Sequence, residues 1–262
     1  MEEASRFSIS PLALYAALGT AQAPSLIDVR PSPIFDHGDV MIVSALRRAP
    51  EATESWVQTL PRERRIVVYC DDGGEISAAL ATTLRKAGCE ALALAGGLKA
   101  WAAAGLPFRR REPPSALWVT RERPKVDRIA CPWLIRRFID PEAKFLYVPS
   151  AEVRDTAART GAIPYDVAGA EFGHRGEQCS FDAFLHLYGI RDTILDRLAA
   201  IVRGADTGRP EMTPQSPGLL AVSHGLSANF DDDHAMLEQG MFVYDALFAW
   251  CRQQDSITAD QS

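Results

Sequence analysis

At 262 residues, with 47% hydrophobic and 24% charged side chains, the chain has the length and apolar content for two globular domains and falls outside the disordered class. Its formal net charge of −6 repels a phosphate backbone, so nucleic-acid binding would need a local basic patch. Five cysteines at wide, irregular spacing do not make a secreted disulfide framework, the N-terminus has no basic region ahead of an apolar run, and no apolar stretch is long enough to span a bilayer; a cytoplasmic protein with reduced thiols and no membrane partner is expected.

In chain order, Ser10 to Leu18 has helical composition, and Leu26-Ile27-Asp28-Val29, Ile66-Val67-Val68-Tyr69-Cys70 and Ala91-Leu92-Ala93-Leu94 read as short buried parallel strands, with a second helix over Ser77 to Ala87. This alternation predicts an α/β domain of βα units around a mostly parallel sheet, with ligands at the carboxyl ends of its strands. The run Arg109-Arg110-Arg111, the pair Pro113-Pro114 and a change of pattern mark a linker over 111–115. They bound a first domain over 1–110 and a second over 116–252. In the second, strands are expected at Ala116–Thr120 and Phe145–Val148, and helices at Arg128–Phe138, Phe181–Tyr188, Thr193–Arg203, Pro217–Asn229 and Asp232–Arg252. That makes it mainly α with a few strands. Residues 253–262 are expected to be a frayed tail.

Cys70 closes a β-branched strand and is followed by Asp71, Asp72, Gly73, Gly74, Glu75 and Ile76, after which Ser77 is expected to open the helix. A strand-to-helix turn with two glycines can curl its N–H groups inward, and the helix N-terminus adds partial positive charge, which together stabilise a thiolate or persulfide. Leu26-Ile27-Asp28-Val29-Arg30, Val67-Val68-Tyr69-Cys70, Ser77, and Leu94-Ala95-Gly96-Gly97-Leu98-Lys99-Ala100-Trp101 through Gly105-Leu106-Pro107 together resemble a rhodanese (sulfurtransferase) domain. The resemblance implies that Cys70 accepts sulfane sulfur from a small donor as a persulfide and passes it to a thiol acceptor or cyanide, with no cofactor required. It also implies structural roles for Asp28 and Arg30, and a tight turn at Gly96-Gly97 before Trp101 packs. One departure matters: where the family's loop carries a cation after the glycine, this loop carries Asp71, Asp72 and Glu75, which oppose a thiolate and an anionic donor.

Beyond the linker, six cations fall within the 17 positions from Arg121 to Arg137. A strand, a basic loop and a helix start can converge guanidinium groups and free N–H groups on a tetrahedral oxyanion, for which Arg123, Lys125, Arg128, Cys131 and Arg136 are the candidates. Pro132 at the first helical position would leave Cys131 just outside the helix, at its positive end. Glu171, His174 and Cys179, with Asp206 further on, have residue types that suit a metal ion, although the spacing matches no zinc-finger rule; Ser180 is read as a helix cap. Asp231 to Asp233 would cap the last helix, whose broad apolar surface predicts burial or a homodimer interface.

Arg123-Pro124-Lys125-Val126-Asp127-Arg128-Ile129-Ala130-Cys131-Pro132-Trp133-Leu134-Ile135, with Gly169-Ala170-Glu171, His174, Cys179-Ser180-Phe181-Asp182, Arg203-Gly204-Ala205-Asp206 and Gly225-Leu226-Ser227, resembles the C-terminal domain of the chromate-resistance ChrB family over roughly residues 115–252. The resemblance implies a role linked to chromate, and fusion to a rhodanese domain is an arrangement found in that family. The leading reading joins a sulfurtransferase centred on Cys70 to a domain that responds to chromate, a related oxyanion or a metal. Two others stay open: a non-catalytic chromate sensor with a degenerate rhodanese loop, and a metal-dependent enzyme built on Glu171, His174, Cys179 and Asp206. DNA is not expected as a partner, because no helix-turn-helix pattern or basic recognition helix is present.

Overall fold

The structure, a computed structural model, describes residues 7–111 and 117–260, so most of the expected linker lies outside the described residues. The chain divides into two compact units, Met1–Glu112 with Arg137–Pro141, and Pro113–Arg136 with Glu142–Ser262.

The first unit is built on five parallel strands, β1 (Ser8–Ile9), β2 (Ser25–Asp28), β4 (Leu46–Arg47), β5 (Ile66–Tyr69) and β6 (Ala91–Leu94), in the order β1-β6-β5-β2-β4. β3 (Val40–Ile42) pairs separately and antiparallel with β7 (Phe108–Arg110). All four residues of β5 are buried, as a central strand covered on both faces requires. The helices are α1 (Pro11–Ala17), α2 (Ser32–His37), α3 (Thr53–Trp56), α4 (Glu75–Lys86) and α5 (Gly97–Ala103). Leu80, Ala81 and Leu84 of α4 join Ile27, Ile66, Val68, Trp56 and Cys89 in one apolar core. Helix α4 starts at Glu75, not at Ser77: Gly74 is its extended N-terminal cap, and Glu75 places its charge in the first turn, where the helix dipole favours an anion. Ser77 thereby becomes a buried residue of that first turn.

The second unit carries a three-stranded parallel sheet in the order β10-β8-β9, with β8 at Leu117–Arg121, β9 at Lys144–Val148 and β10 at Ile163–Pro164. Around it lie α6 (Asp127–Leu134), α7 (Val153–Thr160), α8 (Ser180–Tyr188), α9 (Thr193–Asp206), α10 (Ser216–Asn229) and α11 (Asp233–Asp260). β10 and α7 carry weak sequence signals: the strand is two residues long, and α7 buries only Val153 and Thr156. α11 continues to Asp260, so the frayed tail expected over 253–262 is helical for most of its length. Its Met236, Leu237, Met241, Tyr244, Phe248 and Cys251 are buried, and the helix packs on α6, α9 and α10. Packing within the domain thus accounts for much of its apolar pattern.

The position of Pro132 corrects one expectation. α6 starts at Asp127 after Val126, which has a φ of 38°, so Pro132 lies inside the helix and Cys131 is a fully buried helical residue. Proline brings no N–H to the Arg128 carbonyl one turn back; the Tyr147 hydroxyl stands 3.5 Å from that oxygen. The helix then passes into a π-helical turn over Ile135–Ile139.

Candidate functional site

In the first unit Cys70 sits immediately beyond the carboxyl end of β5, 3% exposed, with its Sγ 3.2 Å from the Ser77 Oγ and 3.7 Å from the Asp72 Oδ1. The loop is pinned from below by α5: the Leu98 and Lys99 amides donate to the carbonyls of Cys70 and Asp71 at 3.0 and 2.9 Å. Gly73 has a φ of 69° and Gly97 one of 56°, and the two backbones lie too close for any Cβ between them. The three carboxylates are not equivalent. Asp71 is paired with Lys99 at 2.6 Å, and Asp72 accepts from the Gly74 amide at 3.0 Å, which holds its carboxyl below the usual range. Of the two, Asp72 is the one in reach of the sulfur. Lys99 supplies a cation to the loop from the neighbouring helix; its place in the Gly96-Gly97-Leu98-Lys99 motif is the signal that could have identified it.

Behind this loop Asp28 and Arg30 form a buried ion pair at 2.6 Å. Asp28 also accepts from the Tyr69 hydroxyl at 2.8 Å, and Arg30 donates to the Val40 carbonyl at 3.0 Å. The pair therefore ties β2, β5 and β3 together just below the end of β5 that carries Cys70.

In the second unit the basic segment does not converge on one point. Arg123 is turned to the α10–α11 junction, where its guanidinium meets the carbonyls of Ser227 and Phe230 and its amide meets the Asp233 carboxylate. Arg136 pairs with Glu238 at 2.7 Å, and Lys125 is half-buried in the turn before α6, where its carbonyl accepts from the Arg128 amide. Arg128 reaches Asp166 at 3.3 Å and the Glu122 carbonyl at 3.0 Å. Burial pushes the Cys131 thiol well up, so Cys131 is a core residue rather than a dipole-activated one.

The polar centre of this unit gathers around His174. Its Nε2 lies 3.0 Å from Asp206, 3.3 Å from Asp166 and 3.6 Å from Asp127. Asp127 heads α6, Asp206 ends α9, Asp166 follows β10 with a φ of 50°, and His174 comes from the loop before α8. Asp127 is fully buried, and burial, followed by the Asp206 charge, pushes its carboxyl up to about 7. Hydrogen bonds to Asp127, Asp166 and Asp206, in that order of size, push His174 up to about 12. Burial acts to raise the Asp166 carboxyl, but bonds from His174 and Ser180 and the charges of Arg121 and Arg128 outweigh it and bring it below the usual range.

Two of the four expected metal ligands, His174 and Asp206, are thus side by side, and the other two are elsewhere. Cys179 is buried as the N-terminal cap of α8, where its amide donates to the Asp182 carboxylate at 3.0 Å. This corrects the reading of Ser180 as the cap, since Ser180 lies within the helix and its amide donates to Asp127 at 2.5 Å. Glu171 is exposed, and its carbonyl receives Arg175. Asp127 and Asp166 were not singled out from the sequence. Asp127 lies within the long basic motif, whereas the run Pro164-Tyr165-Asp166 carries no recognisable signal. A cleft of about 400 Å³, lined by Arg121, Ser150, Asp166, Val167, Gly169 and His174 among others, opens beside this centre.

A parallel sheet with a cysteine loop at the carboxyl end of its central strand defines the first unit as a rhodanese-like domain, and a model of that domain matches residues 10–104. The ChrB C-terminal domain matches residues 118–251, and the chain belongs to that family. Protein ChrB of Cupriavidus metallidurans is 38% identical over 132 residues, which cover 50% of this chain and 39% of that protein. The match thus spans well under half of the curated relative. Among solved structures, a rhodanese-related protein from Thermoplasma volcanium is 24% identical with a TM-score of 0.34, covering 38% of this chain and 95% of its own. A rhodanese-like domain protein from Staphylococcus aureus is 22% identical with a TM-score of 0.33, covering 36% and 89%. No helix among the described residues is long and apolar enough to cross a membrane.

Proposed function

We propose that this is a chromate-resistance-associated protein whose rhodanese-like domain carries sulfane sulfur on Cys70 and whose ChrB-type domain responds to chromate or a related oxyanion in the cytoplasm. The observation that carries the first part is the placement of the Cys70 Sγ at the carboxyl end of β5, 3.2 Å from the Ser77 hydroxyl and at the head of α4. The free N–H groups of the first turn of α4 and the Ser77 hydroxyl can stabilise negative charge on a sulfur atom there. In the forward step the Cys70 thiolate attacks the outer sulfur of thiosulfate; the new S–S bond forms as the old one breaks, and sulfite leaves with the electron pair. A thiolate acceptor or cyanide then attacks the outer sulfur of the persulfide and releases the Cys70 thiolate.

The oxyanion part rests on the cleft lined by Arg121, Ser150 and His174, which offers a cation and polar groups to a tetrahedral anion. One observation favours the competing reading of a non-catalytic sensor: the Asp72 carboxylate stands 3.7 Å from the sulfur and places a negative charge where an anionic sulfur donor must approach. The deciding experiment is sulfur transfer from thiosulfate to cyanide or a thiol by the full chain and by Cys70→Ser, with and without chromate. Turnover that requires Cys70 and changes with chromate is expected. No turnover with any sulfane donor would select the sensor, and sulfate competing as well as chromate in a binding titration would remove a dedicated chromate response.

A further inference from the structure

We propose that Asp127, His174 and Asp206 form a binding site for one divalent first-row metal ion within the ChrB-type domain. The three side chains come from the start of α6, the loop before α8 and the end of α9, and each offers one ligand atom, all within 4.8 Å of one another. The spacing suits a single ion that draws its ligands inward.

Charge balance singles out these three from their neighbours. Asp166 stands beside the same imidazole nitrogen, but Arg121 at 3.1 Å and Arg128 at 3.3 Å already match its charge, and the Ser180 hydroxyl donates to it at 2.9 Å. Asp127 and Asp206 share no arginine among the described residues. An ion entering here displaces the protons that Asp127 and His174 hold, as metal binding generally does. A divalent cation bound to two carboxylates and a neutral imidazole gives a neutral centre.

A second observation is independent of the clustering. The Asp127 side chain is fully buried, and while its Oδ2 accepts from the Ser180 amide, its Oδ1 has no hydrogen-bond partner. A buried carboxylate oxygen left without a partner carries the desolvation cost of that group uncompensated. It belongs to the carboxyl group whose other oxygen, Oδ2, lies 3.6 Å from the His174 Nε2, and a metal ion bound by that carboxylate would offset the cost. The His174 side chain is 42% exposed and Asp206 16% exposed, so an ion can enter from solvent, and the cleft beside His174 leaves room for water or a small anion at its open positions. Two carboxylates with one imidazole suit manganese(II), iron(II) or zinc(II) better than copper(I), which prefers sulfur ligands.

The test uses the full chain, stripped with a chelator and titrated with manganese(II) while the electron paramagnetic resonance signal of the free ion is followed; zinc(II) is added as competitor and titrated separately by calorimetry. One saturable site per chain for either ion is expected, weakened by at least about tenfold in His174→Ala and in Asp206→Asn and unchanged in Glu171→Gln. Circular dichroism melting confirms that each variant is folded. A folded wild-type chain that binds neither ion saturably would overturn the proposal, as would affinity undiminished in both His174→Ala and Asp206→Asn. Cys70→Ser is expected to bind as the wild type does, so the outcome is separate from that of sulfur transfer.

Discussion

Gly97 lies against Gly73 so closely that a Cβ on Gly97 would fall 2.4 Å from the Gly73 amide nitrogen and 2.4 Å from the Cys70 carbonyl oxygen. Both neighbours are backbone, so neither can swing away. The φ of Gly97 is also positive, a region that costs a side-chain-bearing residue about 1 kcal/mol or more. Gly97→Ala is therefore expected to displace the Cys70 loop and destabilise the first unit by at least about 2 kcal/mol. Amide hydrogen exchange in β5 and α4 reads this directly; protection equal to wild type would mean that the loop and α5 are not in fact locked together.

The loop chemistry gives a second prediction, with a sign fixed by geometry. Asp72 is the loop carboxylate in reach of the Cys70 sulfur, whereas Asp71 is paired with Lys99. Replacing Asp72 with Asn removes one negative charge close to the sulfur at constant shape, a change worth about 1 kcal/mol even at the dielectric of bulk water to an anion that approaches the sulfur. Iodoacetate, itself an anion, should label Cys70 at neutral pH several-fold faster in Asp72→Asn than in wild type. Cys89, which lies in the apolar core beyond the C-terminal end of α4 and has no carboxylate partner among the described residues, should label at the same rate in both. A slower reaction of Cys70 in the variant would show that Asp72 acts instead by shaping the Gly74 turn.

A third prediction concerns the pair beneath the loop. Asp28 is fully buried and makes contacts with Arg30 and Tyr69. Asp28→Asn leaves the Arg30 charge buried without its counter-ion, for which about 3–5 kcal/mol is the usual cost. Tyr69→Phe leaves the pair and removes two hydrogen bonds, the one its hydroxyl donates to Asp28 and the one it accepts from the Ile42 amide, at about 1–3 kcal/mol. Combining Asp28→Asn with Arg30→Met removes both charges and should recover part of the loss. Protection of β2 and β5 amides against exchange ranks the three variants, and a double variant weaker than Asp28→Asn alone would disprove the pairing argument.

How far the sequence could be read follows from how local each feature is. The run Ile66-Val67-Val68-Tyr69 must be buried on both faces wherever it lies, so the central strand and the loop at its end were legible. The centre around His174 was legible only in part, because Asp127, Asp166 and Asp206 are brought together by three different elements and no spacing along the chain encodes that. The basic segment misled for a related reason. A count of arginines registers charge but not partners, and Arg123, Arg128 and Arg136 each turn to a different carbonyl or carboxylate. Pro132 misled because its preference for the first helical turn is strong, whereas the backbone turn at Val126 that starts α6 earlier has no residue type to announce it.

The packing of α6 against α11 gives the last prediction. A Cβ on Gly240 would fall 2.4 Å from the Ile129 Cγ2, and Ile129 is fully buried, so the two helices approach at this point because residue 240 has no side chain. Gly240→Ala gains helix propensity, roughly 1 kcal/mol, but must push Ile129 off its place in a filled core, which costs about 1–3 kcal/mol. Ile129→Ala alone opens a cavity and costs about 2–5 kcal/mol. In the double variant the new methyl enters the space that Ile129 leaves, and the propensity gain is no longer opposed. The pair is thus expected to be less destabilising than the sum of the single changes by 1 kcal/mol or more, on the order of the coupling seen between touching residues. Hydrogen exchange of the α6 and α11 amides in the four proteins of the cycle measures this. Strict additivity would mean that the helices separate freely at this crossing, and that the start of α6, with Asp127 on it, is not held by α11.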